Sequence, residues 1–165
     1  MAQEFSFDVV SKVDLQAAED AVNTANKEMS TRFDFKASVS KIELNKKDNK
    51  LTLFSDDENK LKSVIDILQG RLIKRGISLK NLDYKAIEQA GGNTVRQEVV
   101  IQQGIPTDKA KAIAAKIKET KIKVNPSIQG DQLRITSASK DNLQTVMTLL
   151  KTENFGLDLQ FTNYR

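Results

Sequence analysis

The apolar period changes along the chain in an order that occurs twice, and this repeat limits the fold more than any other feature. Phe5-Ser-Phe-Asp-Val-Val10 begins with apolar and polar positions in alternation, the mark of a strand. Asp14 can cap a helix, and beyond it Leu15, Ala18, Ala21, Val22, Ala25 and Met29 share one helical face. Phe33 and Phe35, then Ile42 and Leu44, return to two-residue spacing. The polar run Asn45-Lys-Lys-Asp-Asn49 reads as a hairpin turn ahead of Leu51 and Leu53. Ser55-Asp-Asp-Glu58 has capping-box spacing. It precedes a helix carrying Leu61, Val64, Ile65, Leu68 and Leu72, which Gly76 closes. A short strand over residues 82–84 completes the set.

The second half runs through the same order. A strand from Thr94 carries Val95, Val99 and Ile101. Pro106-Thr107 opens a helix bearing Ala110, Ile113, Ala114 and Ile117. Val124 and Ile128, then Leu133 and Ile135, mark two strands joined at Gly130-Asp131, a two-residue turn with glycine first. Ser139 caps a helix with Leu143, Val146, Met147 and Leu150, and Gly156 ends it. Leu157, Leu159 and Phe161 form a last strand. Each half therefore spells β-α-β-β-α-β. The expected fold class is α+β, two tandem ferredoxin-like (RNP-like) domains, each a four-stranded antiparallel sheet with two helices on one face. The pair Gly91-Gly92 is the expected boundary, giving domains over residues 1–90 and 91–165.

What the chain lacks narrows its chemistry. It contains no histidine and no cysteine, so histidine-based triads have no base to draw on and a zinc site, lacking its usual ligands, is nearly excluded. Disulfides are excluded, which fits a reducing compartment. Asp56, Asp57 and Glu58 read as a helix-start cluster rather than a metal site. Neither a P-loop nor a GxGxxG motif is present. A non-enzymatic binding protein without cofactor or metal is the expectation. The net charge of +4 favours phosphate-bearing partners modestly, because acidic and basic residues are interleaved. No apolar run approaches the roughly 18 residues of a membrane span, and Met1-Ala-Gln-Glu-Phe5 shows no secretory pattern.

In this architecture helices cover one sheet face and leave the other exposed. Alternation in the second half turns Arg96, Gln129, Gln132, Arg134 and Gln160 away from the core, with several hydroxyls and carboxylates beside them. Amides and guanidinium groups can read base edges and phosphates. The competing reading is a solvated surface or a contact with the first half. RNA recognition motifs add base-stacking aromatics on their central strands. The corresponding segments here, Leu51-Thr-Leu-Phe54 and Leu133-Arg-Ile-Thr136, do not match that pattern; Phe54 is their only candidate stacking residue, and it is assigned to the core. In Arg32-Phe-Asp-Phe-Lys36, two-residue spacing puts both phenylalanines on one face. Arg32 and Lys36 then lie on the other, within reach of phosphate.

Over essentially its full length the chain resembles the YajQ family of small bacterial proteins. The residues that carry the resemblance are Phe5-Ser-Phe-Asp-Val-Val-Ser11, Thr31-Arg-Phe-Asp-Phe-Lys36, Val95-Arg-Gln-Glu98, Ile128-Gln-Gly-Asp-Gln-Leu-Arg134 and Leu159-Gln-Phe-Thr-Asn-Tyr-Arg165. The resemblance implies tandem ferredoxin-like domains that exchange their first strands. Residues 5–10 would then pair in the second sheet and residues 94–103 in the first. It further implies a cytoplasmic nucleotide-binding protein, linked to cyclic di-GMP, to tRNA or other RNA, and to transcription control through a partner regulator. It implies no enzyme activity and no cofactor, and it transfers no binding residues. Side-chain chemistry alone nominates Arg32, Lys36, Arg96, Gln129, Asp131, Gln132, Arg134, Gln160 and Arg165 as nucleotide-binding. The alternative is an adaptor that docks a transcription regulator and has no nucleotide role.

Overall fold

A computed structural model describes residues 4–165; residues 1–3, part of the segment read above for a leader, lie outside it. The strands and helices run β1 (Phe5–Val10), α1 (Leu15–Thr31), β2 (Lys41–Asn45), β3 (Lys50–Ser55), α2 (Glu58–Lys74), β4 (Leu82–Ala90), β5 (Thr94–Ile101), α3 (Thr107–Glu119), β6 (Asn125–Gln129), β7 (Gln132–Ser137), α4 (Lys140–Thr152) and β8 (Gln160–Thr162). They form two four-stranded sheets, ordered β6-β7-β1-β8 and β2-β3-β5-β4, with every neighbouring pair antiparallel. This is the tandem ferredoxin-like, α+β arrangement.

The chain divides into two compact units. One, here the terminal unit, joins the segment up to Lys12 to Gln103–Arg165; the other, the middle unit, is Val13–Gln102. Strand β1 pairs with β7 and β8, and β5 with β3 and β4. Gly91-Gly92, expected to divide two domains, instead turns a hairpin between β4 and β5 inside the middle unit. A glycine pair marks a chain reversal equally well in either setting, so local composition could not tell them apart. Strand β4 is also longer than the expected residues 82–84. Its residues are largely exposed on both faces, as an edge strand permits, so it lacks a clean alternation signal.

Each unit packs helices on one sheet face. Phe7, Val9, Leu133 and Ile135 meet Ile113, Ile117, Val146 and Leu150 in the terminal core. In the middle core Leu51, Leu53, Val95 and Val99 meet Ala18, Ala25, Leu61 and Leu68. Each Val, Leu, Ile or Phe among them contributes about 1.5–3 kcal/mol of transfer free energy on burial, and the alanines less. Helix ends follow the sequence with two changes, one of them at α4, which stops at Thr152 with Glu153 as its C-cap, ahead of the Gly156 expected to end it. Asp14 accepts from the amides of Gln16 and Ala17, and Ser139 from Asn142. The cap of α2, however, is Asp57, which accepts from Lys60 N, while Ser55 is buried and bonded to Ser40 Oγ at 2.9 Å. Ser55 is the last residue of β3, and its inward-facing register claims the hydroxyl.

The Phe33–Phe35 segment corrects the expectation of a shared face. It is a 3₁₀ turn, in which residues two apart point in different directions. Phe35 is buried and Phe33 is 87% exposed.

Candidate functional site: the helix-free sheet faces

Pleating sends every second residue of the central strands away from the helices. In the terminal unit the register aligns Ser127, Arg134, Asp8 and Thr162 in one row across all four strands. Asp8 lies at the centre and is only 4% exposed. A buried carboxylate must be paired and hydrogen-bonded to stay charged. Arg134 supplies this with Nε at 2.9 Å and Nη2 at 3.4 Å, each facing a different carboxylate oxygen. Asn163 Nδ2 donates at 2.9 Å and Gln132 Nε2 at 3.5 Å. The Arg134 hydrogen bond, helped by Asn163 and by the charges of Arg134 and Arg165, holds the Asp8 carboxyl below its ordinary 3.8 against the opposing effect of burial. The same pair raises Arg134.

A bulge brings Asn163 into this network. Strand β8 pairs in register with β1 to Thr162, and Asn163 then takes a left-handed φ of 57°. Pairing resumes one residue late, with Ser6 and Arg165 exchanging backbone hydrogen bonds at 3.1 and 2.9 Å. One extra residue thus turns the Asn163 amide onto Asp8. The result is a guanidinium fixed by a carboxylate and ringed by amides, an arrangement suited to two-pronged recognition of a planar acceptor pair.

Five of the nominated residues, Gln129, Gln132, Arg134, Gln160 and Arg165, belong to this one sheet or its flank. Gln160 is partly committed, since its amide donates to Lys12 O at 2.8 Å and Asp158 Oδ2 at 3.3 Å. Asp131 stands at the hairpin tip after Gly130, against Gly104, where an added Cβ would come within 2.6 Å of its carboxylate. Asp8 and Asn163 were missed. Asp8 interrupts an apolar run, and a charge at a mid-strand position was the available signal; the bulge behind Asn163 leaves none.

Three nominated residues lie in the middle unit. Arg32 caps the C-terminal end of α1, where Asp34 accepts at 2.9 and 2.8 Å and Glu28 at 3.3 Å. Its charge is therefore already met, chiefly by the Asp34 hydrogen bond that raises its pKa. Glu28 also accepts from Arg71, tying α1 to α2. Lys36 is exposed at the end of the 3₁₀ turn. Arg96, expected beside Arg134, lies in β5 and so belongs to the other sheet. Its expected position assumed that β5 shares a sheet with β7, a long-range choice that alternation leaves open.

The helix-free face of the middle unit has a different row: Lys41, Phe54, Arg96 and Glu88. Phe54, assigned from sequence to the core, is half-buried and lies outside the core cluster. The cause is register: Leu51 and Leu53 take the inward positions of β3, which turns Phe54 outward. Lys41 Nζ sits 4.8 Å from its ring centroid, and Glu88 holds Arg96 in an ion pair. Among the described residues no group of three or more acidic side chains is arranged to hold a metal ion, and no helix is long and apolar enough to cross a membrane.

Comparison with known proteins supplies a family. The family model described as "Nucleotide-binding protein YajQ-like" matches residues 5–165. A protein of Elusimicrobium minutum named "Nucleotide-binding protein" is 60% identical over 162 residues, spanning 98% of this chain and 99% of its own length. Proteins of the same name from Desulfitobacterium hafniense and Carboxydothermus hydrogenoformans are 54% and 51% identical over the whole of both chains.

Proposed function

Since this chain belongs to the YajQ-like family, we propose that it binds a nucleotide, cyclic di-GMP or a stretch of RNA such as tRNA, through the helix-free face of its terminal unit. The binding is non-enzymatic and serves regulation in the cytoplasm. One observation carries the reading: the Asp8-locked guanidinium of Arg134 among the amides of Gln132 and Asn163. A guanidinium already neutralised by a carboxylate suits a neutral acceptor edge, such as guanine O6 and N7, better than a bare phosphate. In this reading Arg165, at the flank, and Gln129, at the far edge, meet phosphate and sugar.

Titration calorimetry with cyclic di-GMP tests this. Wild-type protein is expected to bind, and Arg134→Lys, which keeps the charge but loses the two-pronged geometry, to lose about 1–3 kcal/mol of affinity. Equal heats from both proteins would reject the site. The RNA form of the reading predicts that tRNA retention falls with salt. A protein that ignores every nucleotide yet captures a transcription regulator would favour the adaptor alternative.

A further inference from the structure

We infer a second ligand site, a stacking platform for a nucleobase, on the helix-free face of the middle unit, with Phe54 as its floor. For the class of ligand this rests on the nucleotide reading above; for the site it rests on a different sheet. Three observations carry it. Phe54 points away from the core on a central strand, where the helices cannot cover it, and its half-buried ring already carries a cation, Lys41 Nζ at 4.8 Å from the centroid. Its direct cross-strand neighbours are both cations, Lys41 on one side and Arg96 on the other. The ring also borders an open depression of about 550 Å³ shared with Thr52, Arg96 and Glu98, large enough for a nucleotide.

The charges of this face favour a base over a phosphate. Lys41 pairs with Glu43 at 3.2 Å, Lys50 with Glu98 at 3.5 Å, and Arg96 with Glu88. A phosphate would have to displace a carboxylate from its cation. A neutral base need break none of these pairs: it takes the place of the Lys41 ammonium over the ring and presents its edge to the Thr52 hydroxyl and the Arg96 guanidinium. Binding here is therefore less sensitive to salt than binding through phosphate contacts.

The experiment uses the full chain with three probes: a short oligoadenylate, an abasic strand of equal length, and adenosine 5′-monophosphate. Phe54→Ala is expected to weaken oligoadenylate binding roughly ten- to hundredfold, the range of one lost base–aromatic stack, while Phe54→Trp retains it and the abasic strand binds both variants as it binds wild type. In unsubstituted protein the Phe54 ring protons shift on titration, which keeps the test valid should Phe54→Ala fail to fold. Monophosphate that shifts the same protons identifies a single-nucleotide site. Strand without monophosphate identifies a single-stranded site, and either supports the inference. Oligoadenylate binding unchanged in Phe54→Ala, or ring protons that no probe moves, overturns it. The response of Arg134→Lys to cyclic di-GMP then still decides the first reading alone.

Discussion

The two sheets have the same strand plan and opposite surface chemistry. Register makes the correspondence residue by residue. Leu133 opposite Val9 matches Leu51 opposite Val99, and Arg134 opposite Asp8 matches Thr52 opposite Glu98. Thr136 opposite Ser6 matches Phe54 opposite Arg96. The inward members are apolar in both units, so the cores are near copies. The outward members differ. The terminal unit buries its acid under an arginine and two amides, and has threonine where the middle unit has Phe54. The middle unit leaves its acid half-exposed, 3.5 Å from Lys50. The shared positions specify the fold; the helix-free faces differ, one carrying a carboxylate–guanidinium–amide network and the other an outward phenylalanine between two cations.

Matched substitutions at the paired positions test this division. The largest effects belong to the shared core. Leu133→Ala and Leu51→Ala, both at fully buried positions, should each cost about 2–5 kcal/mol, seen as similar losses in urea midpoint. A loss confined to one of them would show that the two cores are not equivalent.

Next come the two acids. Asp8 has a folded pKa below its unfolded value, so its pair stabilises fully at neutral pH. That contribution is lost as pH falls through the ordinary carboxylate range and below it, where the unfolded chain takes up the proton first. Asp8→Asn should lower the urea midpoint at pH 7 and narrow its difference from wild type at pH 3. Glu98→Gln, which removes a half-exposed ion pair, should cost at most about 1 kcal/mol at pH 7. Equal losses at pH 7 would erase the distinction between the faces.

The smallest effect is at the bulge. Asn163→Gly keeps the left-handed backbone accessible and removes only the amide on Asp8. It should cost roughly 1 kcal/mol in thermal or urea unfolding and weaken cyclic di-GMP binding less than Arg134→Lys does.

Much of this was legible in the sequence wherever the signal is local. The helices of both halves, the caps Asp14 and Ser139, and the Gly130-Asp131 turn follow from periodicity and capping chemistry. So does the presence of Gln132 and Arg134 on one outward face. What escaped depends on partners distant in the chain. Arg96 was assigned to the wrong sheet because β5 alternates identically whichever sheet receives it. Phe54 was read as core because a phenylalanine in an apolar run ordinarily is, and only the inward register of Leu51 and Leu53 turns it out. Phe33 was paired with Phe35 because two-residue spacing reads as a strand, while the backbone there makes a 3₁₀ turn. Asp8 acquires its partners from residues more than 120 positions away.

The most direct test of the account maps the ligand onto the surface by backbone and side-chain NMR during titration with cyclic di-GMP. Resonances of Gln132, Arg134 and Asn163, on the helix-free face of the terminal unit, are expected to shift first and saturate together. Shifts confined to the helix side of either unit, including the Arg32–Lys36 turn, would contradict it.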